Sequence, residues 1–267
     1  MDAPPRFSKI LNARLSVQAW TDPRLLRLPG VQPLAIKDWM LRDDAFARQM
    51  AYRDWLMSHR RKVVLSQRPQ ADEAAAELLD VVSKDCGFPQ SGDIINRPDD
   101  MMVDLSVDCA LMACARLTQM DLCILQDAGE EHILTAGVMC FPSSWTLSEK
   151  LGRSLSSIHA PVDEYDGRIS RSVQRMFKAI RPAQPLWRAN VLIYTDPNLH
   201  QPRLEGIAKP IDPVAKRYVR VERQSFRRLP KTGAVIFGIH TSIVAAESLE
   251  PSDYDSLAAI KADLLPS

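Results

Sequence analysis

Histidine is the side chain best suited to ligate a metal or move a proton near neutral pH, because its neutral imidazole keeps one lone pair and titrates close to that range. The chain has five. His159 closes an apolar stretch, SLSSIH, shortly before Pro161, and His240 sits in FGIHTS on a strand-like run that sets it opposite Ile239. His59 lies within SHRRK and His200 in a proline-flanked loop, so both read as exposed, and His132, beside a hairpin turn, takes the same reading. A second group of candidates is ionic. In YVRVERQSFRRLP, alternation puts Arg220 and Glu222 on one face and Arg223 on the other, with Arg227 and Arg228 near the strand's end. Arg188 and Asn190, two apart in PLWRANVLIY, also share a face. A carboxylate beside guanidiniums is either a solvated salt-bridged surface or a buried pair that holds a charged ligand. The residues alone leave both readings open.

Cys86, Cys109, Cys114, Cys123 and Cys140 form an odd set without a CxxC pair. That pattern excludes the common disulfide frameworks, zinc sites and clustered iron–sulfur spacings, and the thiols read as reduced core residues. There is no GxGxxG fingerprint and no P-loop, so any electrons or nucleotide chemistry must come from another protein.

The elements that position these residues follow from periodicity. Residues 35–64 place Trp39, Phe46, Met50 and Leu56 at helical spacing and predict one long amphipathic helix. A second helix follows in ADEAAAELLDVVSKDCGF, capped by Asp72 and ended by Gly87. The Pro/Asp/Gly stretch at 87–100 reads as a connector. Two apolar runs around DAGEEH predict a β-hairpin within 120–141. Serine-capped SSWTLSEKLGRSLSSI predicts a helix presenting Trp145, Leu147, Leu151 and Leu155, with Trp145 and Trp187 read as core residues. ISRSVQRMFKAI predicts another helix, and 185–195, 216–230 and 232–245 predict three strands. The sum is an α+β fold on an antiparallel sheet.

With 267 residues, 46% of them hydrophobic, the chain buries a sizeable core in one large domain. Lys and Arg total 34 against 33 Asp and Glu, so no overall basic field draws in nucleic acid or acidic lipid. The N-terminus lacks a signal-peptide apolar region, and no run approaches the roughly 18 apolar residues of a membrane span. These features predict a cytoplasmic protein without a membrane partner.

Three strings, FPSSWTLSEKLGRSLSSIHAPV, WRAN and VRVERQSFRRLPKTGAVIFGIHT, resemble the ordered signatures of the haem-dependent oxidative N-demethylase family, the dimethylamine monooxygenase-like haem subunits. PLAIKDWMLRDDAFARQMAYRDWLM and RPQADEAAAELLDVV extend the similarity upstream, so that it covers 29–250, between an extension at 1–28 and a tail at 251–267. The resemblance implies a PAS-like antiparallel β-sheet with extra N-terminal and flanking helices, and haem b as cofactor. It implies O2 as co-substrate, and removal of methyl from a small-molecule amine as formaldehyde or oxidation of a related nitrogen-containing metabolite. Electrons would arrive from NAD(P)H through a separate flavin or iron–sulfur reductase; a homodimer is left open. A haem-based gas sensor, or a haem-binding protein without turnover, is the competing reading, since such folds host both.

The same resemblance implies residue roles. His159, in IHAPV, is the axial ligand of the haem iron, with His240 as the alternative. Glu222 serves amine recognition or proton transfer, and Arg220 and Arg223 serve charge balance or a haem propionate. Arg188 lies near the distal side, and Tyr165 offers its hydroxyl to oxygen or substrate. Two residues depart from the pattern: Met120 stands where an acidic residue is expected, and Val191 follows WRAN where tryptophan is common.

Overall fold

The computed structural model describes residues 4–26, 29–160, 167–207, 212 and 214–261. Helices and short strands occupy the first part: α1 (Pro23–Leu26), β1 (Gln32–Pro33), α2 (Phe46–His59), α3 (Arg61–Val64), β2 (Leu65–Gln67) and α4 (Asp72–Asp85). Strands β3 (Gln90–Ser91), β4 (Ile94–Asn96) and β5 (Met102–Asp104) form a small sheet of their own, followed by α5 (Ala110–Leu117). The hairpin β6 (Asp121–Asp127) and β7 (His132–Val138) leads to α6 (Leu147–Lys150), α7 (Leu155–His159) and α8 (Gly167–Ala179). A meander of β8 (Leu186–Tyr194), β9 (Tyr218–Arg228) and β10 (Val235–Ala245) follows, and α9 (Pro251–Ala258) comes after it.

The large sheet has the order β1-β8-β9-β10-β6-β7-β2, antiparallel at every pairing. Its last long strand, β10, returns between β9 and β6, which closes the hairpin and the meander into one surface. The α+β expectation is met. Alternation divides the strands between two cores. On one face, Leu122, Ile124 and Ile236 pack with Leu56, Leu78 and Leu111 of α2, α4 and α5, and Val191, Val221 and Val244 pack with Trp20 and Leu257. On the other face, Cys123, Phe226, Val235 and Ile239 pack beneath Leu147, Leu155 and Phe177 of α6, α7 and α8. The second face carries the site.

Several local expectations are corrected. The long helix predicted from residue 35 begins only at Phe46, because Ile36–Asp38 forms a separate 3-10 turn and the Asp43 carboxylate accepts from Ala45 N. Trp39 is fully buried outside the helix. Asp72 is the first residue of α4 rather than its cap, and it accepts from Gln67 Nε2 at 2.6 Å, whereas Gly87, at φ +66°, does follow the helix end. The connector at 87–100 holds β3 and β4, since Ile95 has a place in the core. The single helix over 143–158 is two: Gly152 turns at φ +80° and donates to Leu134 O at 2.7 Å, and Ser154 caps α7 by accepting from Ser157 N. His59 is exposed as expected, but His132 is buried, and His200 is half-buried, its Nδ1 donating to Cys140 O at 2.7 Å. Cys114, Cys123 and Cys140 are core thiols as expected, with burial raising all three pKa values and Cys140 pushed up to about 12. Cys109 is exposed.

Candidate functional site

His159 is delivered by a short, well-anchored helix. Gly152 N donates to Leu134 O and Leu134 N to Arg153 O, so the turn ahead of α7 is zipped to β7, and the Ser154 cap then starts the helix. One turn later the His159 Nδ1 lies 2.8 Å from Leu155 O. A carbonyl only accepts, so Nδ1 carries the hydrogen and Nε2 is the lone-pair nitrogen of the neutral ring. Burial lowers the pKa of this imidazole, and the cations of Lys150 and Arg188 lower it further, against the hydrogen bond to Leu155. The result is a neutral imidazole in a fixed tautomer, which is the form that ligates a metal.

The sheet supplies the facing groups. Arg188 pairs in register with Gln224, and Asn190 with Glu222 and then Thr241, so all of these project from one face. Arg188 makes no side-chain hydrogen bond or ion pair among the described residues, and its Nε is buried without a partner. Burial lowers its pKa and Glu222 partly opposes that. Glu222 is itself buried, which raises its pKa against the pull of Arg220. The fully buried Arg220 contacts Glu222 Oε1 with Nε at 3.3 Å and Nη2 at 3.2 Å. Its other donors reach Leu199 O at 3.1 Å and Phe141 O at 2.6 Å. Arg220, Glu222, Arg188 and His159 therefore form a chain of mutually sensed charges beneath α7.

Arg223 and His240, which pair in register, project from the opposite face. Arg223 donates to Asp38 O at 2.6 Å and Trp39 O at 3.3 Å and stacks over Trp187. The His240 Nε2 lies 2.9 Å from Asp43 Oδ2, within a network that also holds Asn12 and Gln119. Tyr165 lies outside the described residues. Two surface grooves, of about 640 Å³ and 310 Å³, meet at Ser16, Val17 and Trp187, and neither is lined by His159, Arg188 or Glu222. They are open clefts on the face away from the titratable cluster, and the unsatisfied polar groups mark the site more directly than volume does. Lys150 escaped the sequence reading. It is buried, with Nζ at 3.2 Å from both Ile158 O and Glu205 Oε2, and the only signal available was its place two residues before the glycine turn.

The family model described as haem-dependent oxidative N-demethylase, alpha subunit-like, matches residues 30–264 of the 267. The chain belongs to this family. Its haem-dependent oxidative character and its kinship with a subunit that works beside others come with that membership. Among the described residues there is no cluster of three or more His, Cys, Asp or Glu able to hold a bare metal ion, and no helix is long and apolar enough to cross a membrane. The residues present fit the haem that the N-demethylase family implies. A haem iron needs one protein ligand and buried cations to balance its carboxylates; a tautomer-locked imidazole, a half-buried arginine with an unpartnered Nε and a buried lysine occupy one site.

Proposed function

We propose that this chain is the haem-binding catalytic subunit of an oxygen-dependent amine oxidase that removes an N-methyl group as formaldehyde, on a sheet of PAS-like type. His159 would hold the haem iron through Nε2, its ring fixed by the Nδ1–H bond to Leu155 O. The bound haem supplies reductive activation of O2 for oxidation of the N-methyl carbon. The overall balance takes the N-methyl amine, O2, two electrons and two protons to the demethylated amine, formaldehyde and water. A secondary or tertiary amine is protonated at neutral pH and must lose that proton before its nitrogen can assist the oxidation. Glu222 accepts it at a carboxylate oxygen, and its raised pKa makes that transfer easier than for a solvated carboxylate. Arg220 balances Glu222 once ionised. Arg188 would offer its unpartnered Nε–H, and Tyr165, six residues past His159, its hydroxyl, to oxygen or substrate. The donors of Arg223 are committed to the opposite face, so the propionate role falls to Lys150, whose Nζ keeps one donor beyond Ile158 O and Glu205. The electrons come from NAD(P)H through a separate flavin or iron–sulfur protein, and the setting is cytoplasmic.

The observation that carries this reading is the neutral, tautomer-fixed His159 beside a half-buried arginine whose Nε is buried without a partner. Its test is absorption spectroscopy with pyridine haemochrome quantitation after expression with haem supply, then formaldehyde assay with methylated amines. One haem per chain in the parent, loss of the Soret band in His159→Ala and formaldehyde release are expected. A His159→Ala protein that keeps stoichiometric haem and an unchanged spectrum sinks the ligand assignment, and a folded parent that takes up no haem sinks the function.

A further inference from the structure

We propose that the outward face of α8 is the docking surface for an acidic electron-donor protein. The inference rests on the reading above only in that electrons must arrive from outside. Residues 167–194 carry six Lys and Arg and no Asp or Glu, leaving 28 cations against 33 carboxylates elsewhere in a chain of net charge +1. Asp163, Glu164 and Asp166 end before the helix begins. Within α8, Arg171, Arg175 and Lys178 are exposed at i, i+4 and i+7, one stripe along the helix, and Arg181 continues it past the end. Among the described residues, none of the four meets a carboxylate.

This arrangement works against the helix itself. Like charges at i, i+4 repel, and the helix itself carries no acid to offset them. The acid-rich α4, DEAAAELLDVVSKD, differs in that two of its acids, Asp72 and Glu73, stand in the first turn, where the helix dipole favours them. The concentration of one sign is therefore better explained by a partner than by folding.

The surface is also rigidly coupled to the site. Phe177 and Ile180 bury the inner face of α8, and the Phe177 ring packs edge-on against Phe226, with centroids 5.6 Å apart. Arg228 Nε donates to Ile180 O at 2.8 Å, tying the end of α8 to β9, the strand that holds Glu222 and Gln224. One layer of aromatic side chains separates the cationic stripe from the sheet face bearing the titratable cluster. A redox protein with surface carboxylates would be steered to this face and would dock with a short path inward.

The probe is a plant-type ferredoxin, a small acidic one-electron carrier. Calorimetric titration of the oxidised ferredoxin into the full chain should show salt-sensitive binding, weakened at least tenfold in R171E/R175E/K178E. In haem-loaded protein, the rate of haem reduction by reduced ferredoxin should fall in parallel, while reduction by methyl viologen stays unchanged. The milder R175Q/K178Q variant, checked by circular dichroism, should show an intermediate loss and guards against misfolding of the reversal variant. Equal affinity and equal rate in parent and variants overturn the proposal. So does sedimentation of the parent with phosphatidylserine vesicles, dependent on the same residues, when it does not bind ferredoxin. The titration reads the surface whether or not haem is bound, so a failure of the haem assignment is separately visible.

Discussion

Arg53 and Arg188 are both withdrawn from water, and only one of them is satisfied. Arg53, on α2, is fully buried, with Nη1 2.6 Å from Asp121 Oδ1, Nη2 2.8 Å from Met120 O and Nη1 3.3 Å from Gln119 O. Asp121 in turn accepts from Cys140 N at 2.8 Å and Phe141 N at 2.7 Å, so every charge in that cluster is matched by backbone or counter-ion. Arg188, across the sheet, has a buried Nε with no partner and feels Glu222 only at a distance. Burying a guanidinium unpaired costs stability, so a complete set of partners marks a charge that holds the fold and an incomplete set marks one reserved for a ligand.

The comparison is broken most severely from the satisfied side. Arg53→Met leaves Asp121 a buried carboxylate without its cation, for which the expected loss is about 3–5 kcal/mol. The check is the urea midpoint at constant slope. A loss below about 1 kcal/mol would mean that the two backbone donors suffice, and the division between holding and binding charges would fail.

Gly152→Ala reaches the site through the backbone. At φ +80° an added Cβ would meet the Arg68 guanidinium, the far end of a flexible side chain that can swing aside, so it is the backbone conformation that resists it. A cost of about 1–3 kcal/mol is expected from the left-handed backbone alone, and the turn that orients α7 would shift. Urea melts and haem stoichiometry should therefore change together in this variant. Unaltered haem retention at reduced stability would separate α7 positioning from ligand binding.

Gly152 also shows where the sequence was legible. β8 shows the two-residue period in its burial, whereas β9 and β10, buried on both faces, were visible as runs rich in β-branched and aromatic residues. The faces of Arg220, Glu222 and Arg223 followed from the same period and agree with the register. By contrast, SSWTLSEKLGRSLSSI keeps helical spacing across its break, because the apolar residues on both sides of Gly152 pack under one sheet face, and only pairing with Leu134 reveals the turn. The small sheet at 90–104 was hidden for the opposite reason: strands of two or three residues are too short to show a period. The burial of Lys150 depends on Ile158 O and on Glu205, 55 residues away, which local pattern does not encode. The departures fall differently: Met120 is fully buried with its Sδ 3.1 Å from the Cβ position of Gly238, and Val191 packs among valines, so both residues serve the core facing away from the site.

Arg188→Met sharpens the contrast with Arg53. Removing a buried donor that has no partner should leave the haem-free protein as stable or more stable, by about 1 kcal/mol. Formaldehyde release should nonetheless fall, with the loss in kcat rather than haem content if Arg188 acts on the distal side. Destabilisation comparable to that of Arg53→Met would show instead that Arg188 holds the sheet.

The smallest effect is the dependence on pH, and it sorts the histidines in the same way. Burial lowers the pKa of His132, His159 and His200. An unfolded imidazole takes up its proton near pH 6.5, before these folded ones do, so the unfolded state binds more protons just below that pH. Their contribution is complete above about pH 6.5 and is lost as the pH falls, by at most about 1.4 kcal/mol per pH unit for each group. Asp43 behaves otherwise: burial alone would raise its pKa, but hydrogen bonds from His240, Gln119 and Ala45 N outweigh it and hold the carboxyl below the usual range. Its contribution is therefore retained at pH 5 and lost only in stronger acid. Thermal melts of the haem-free chain between pH 7.5 and 5 should fall towards acid. His132 supplies a clean test. Gln174 approaches its ring without completing a hydrogen bond to either nitrogen, the ring lies 5.1 Å from Phe177, and the charges facing it are Asp127, Arg228 and Lys178. His132→Leu should preserve stability at pH 7.5 and flatten the acid slope, whereas a slope as steep as the parent's would place the proton uptake on His159 and His200 alone.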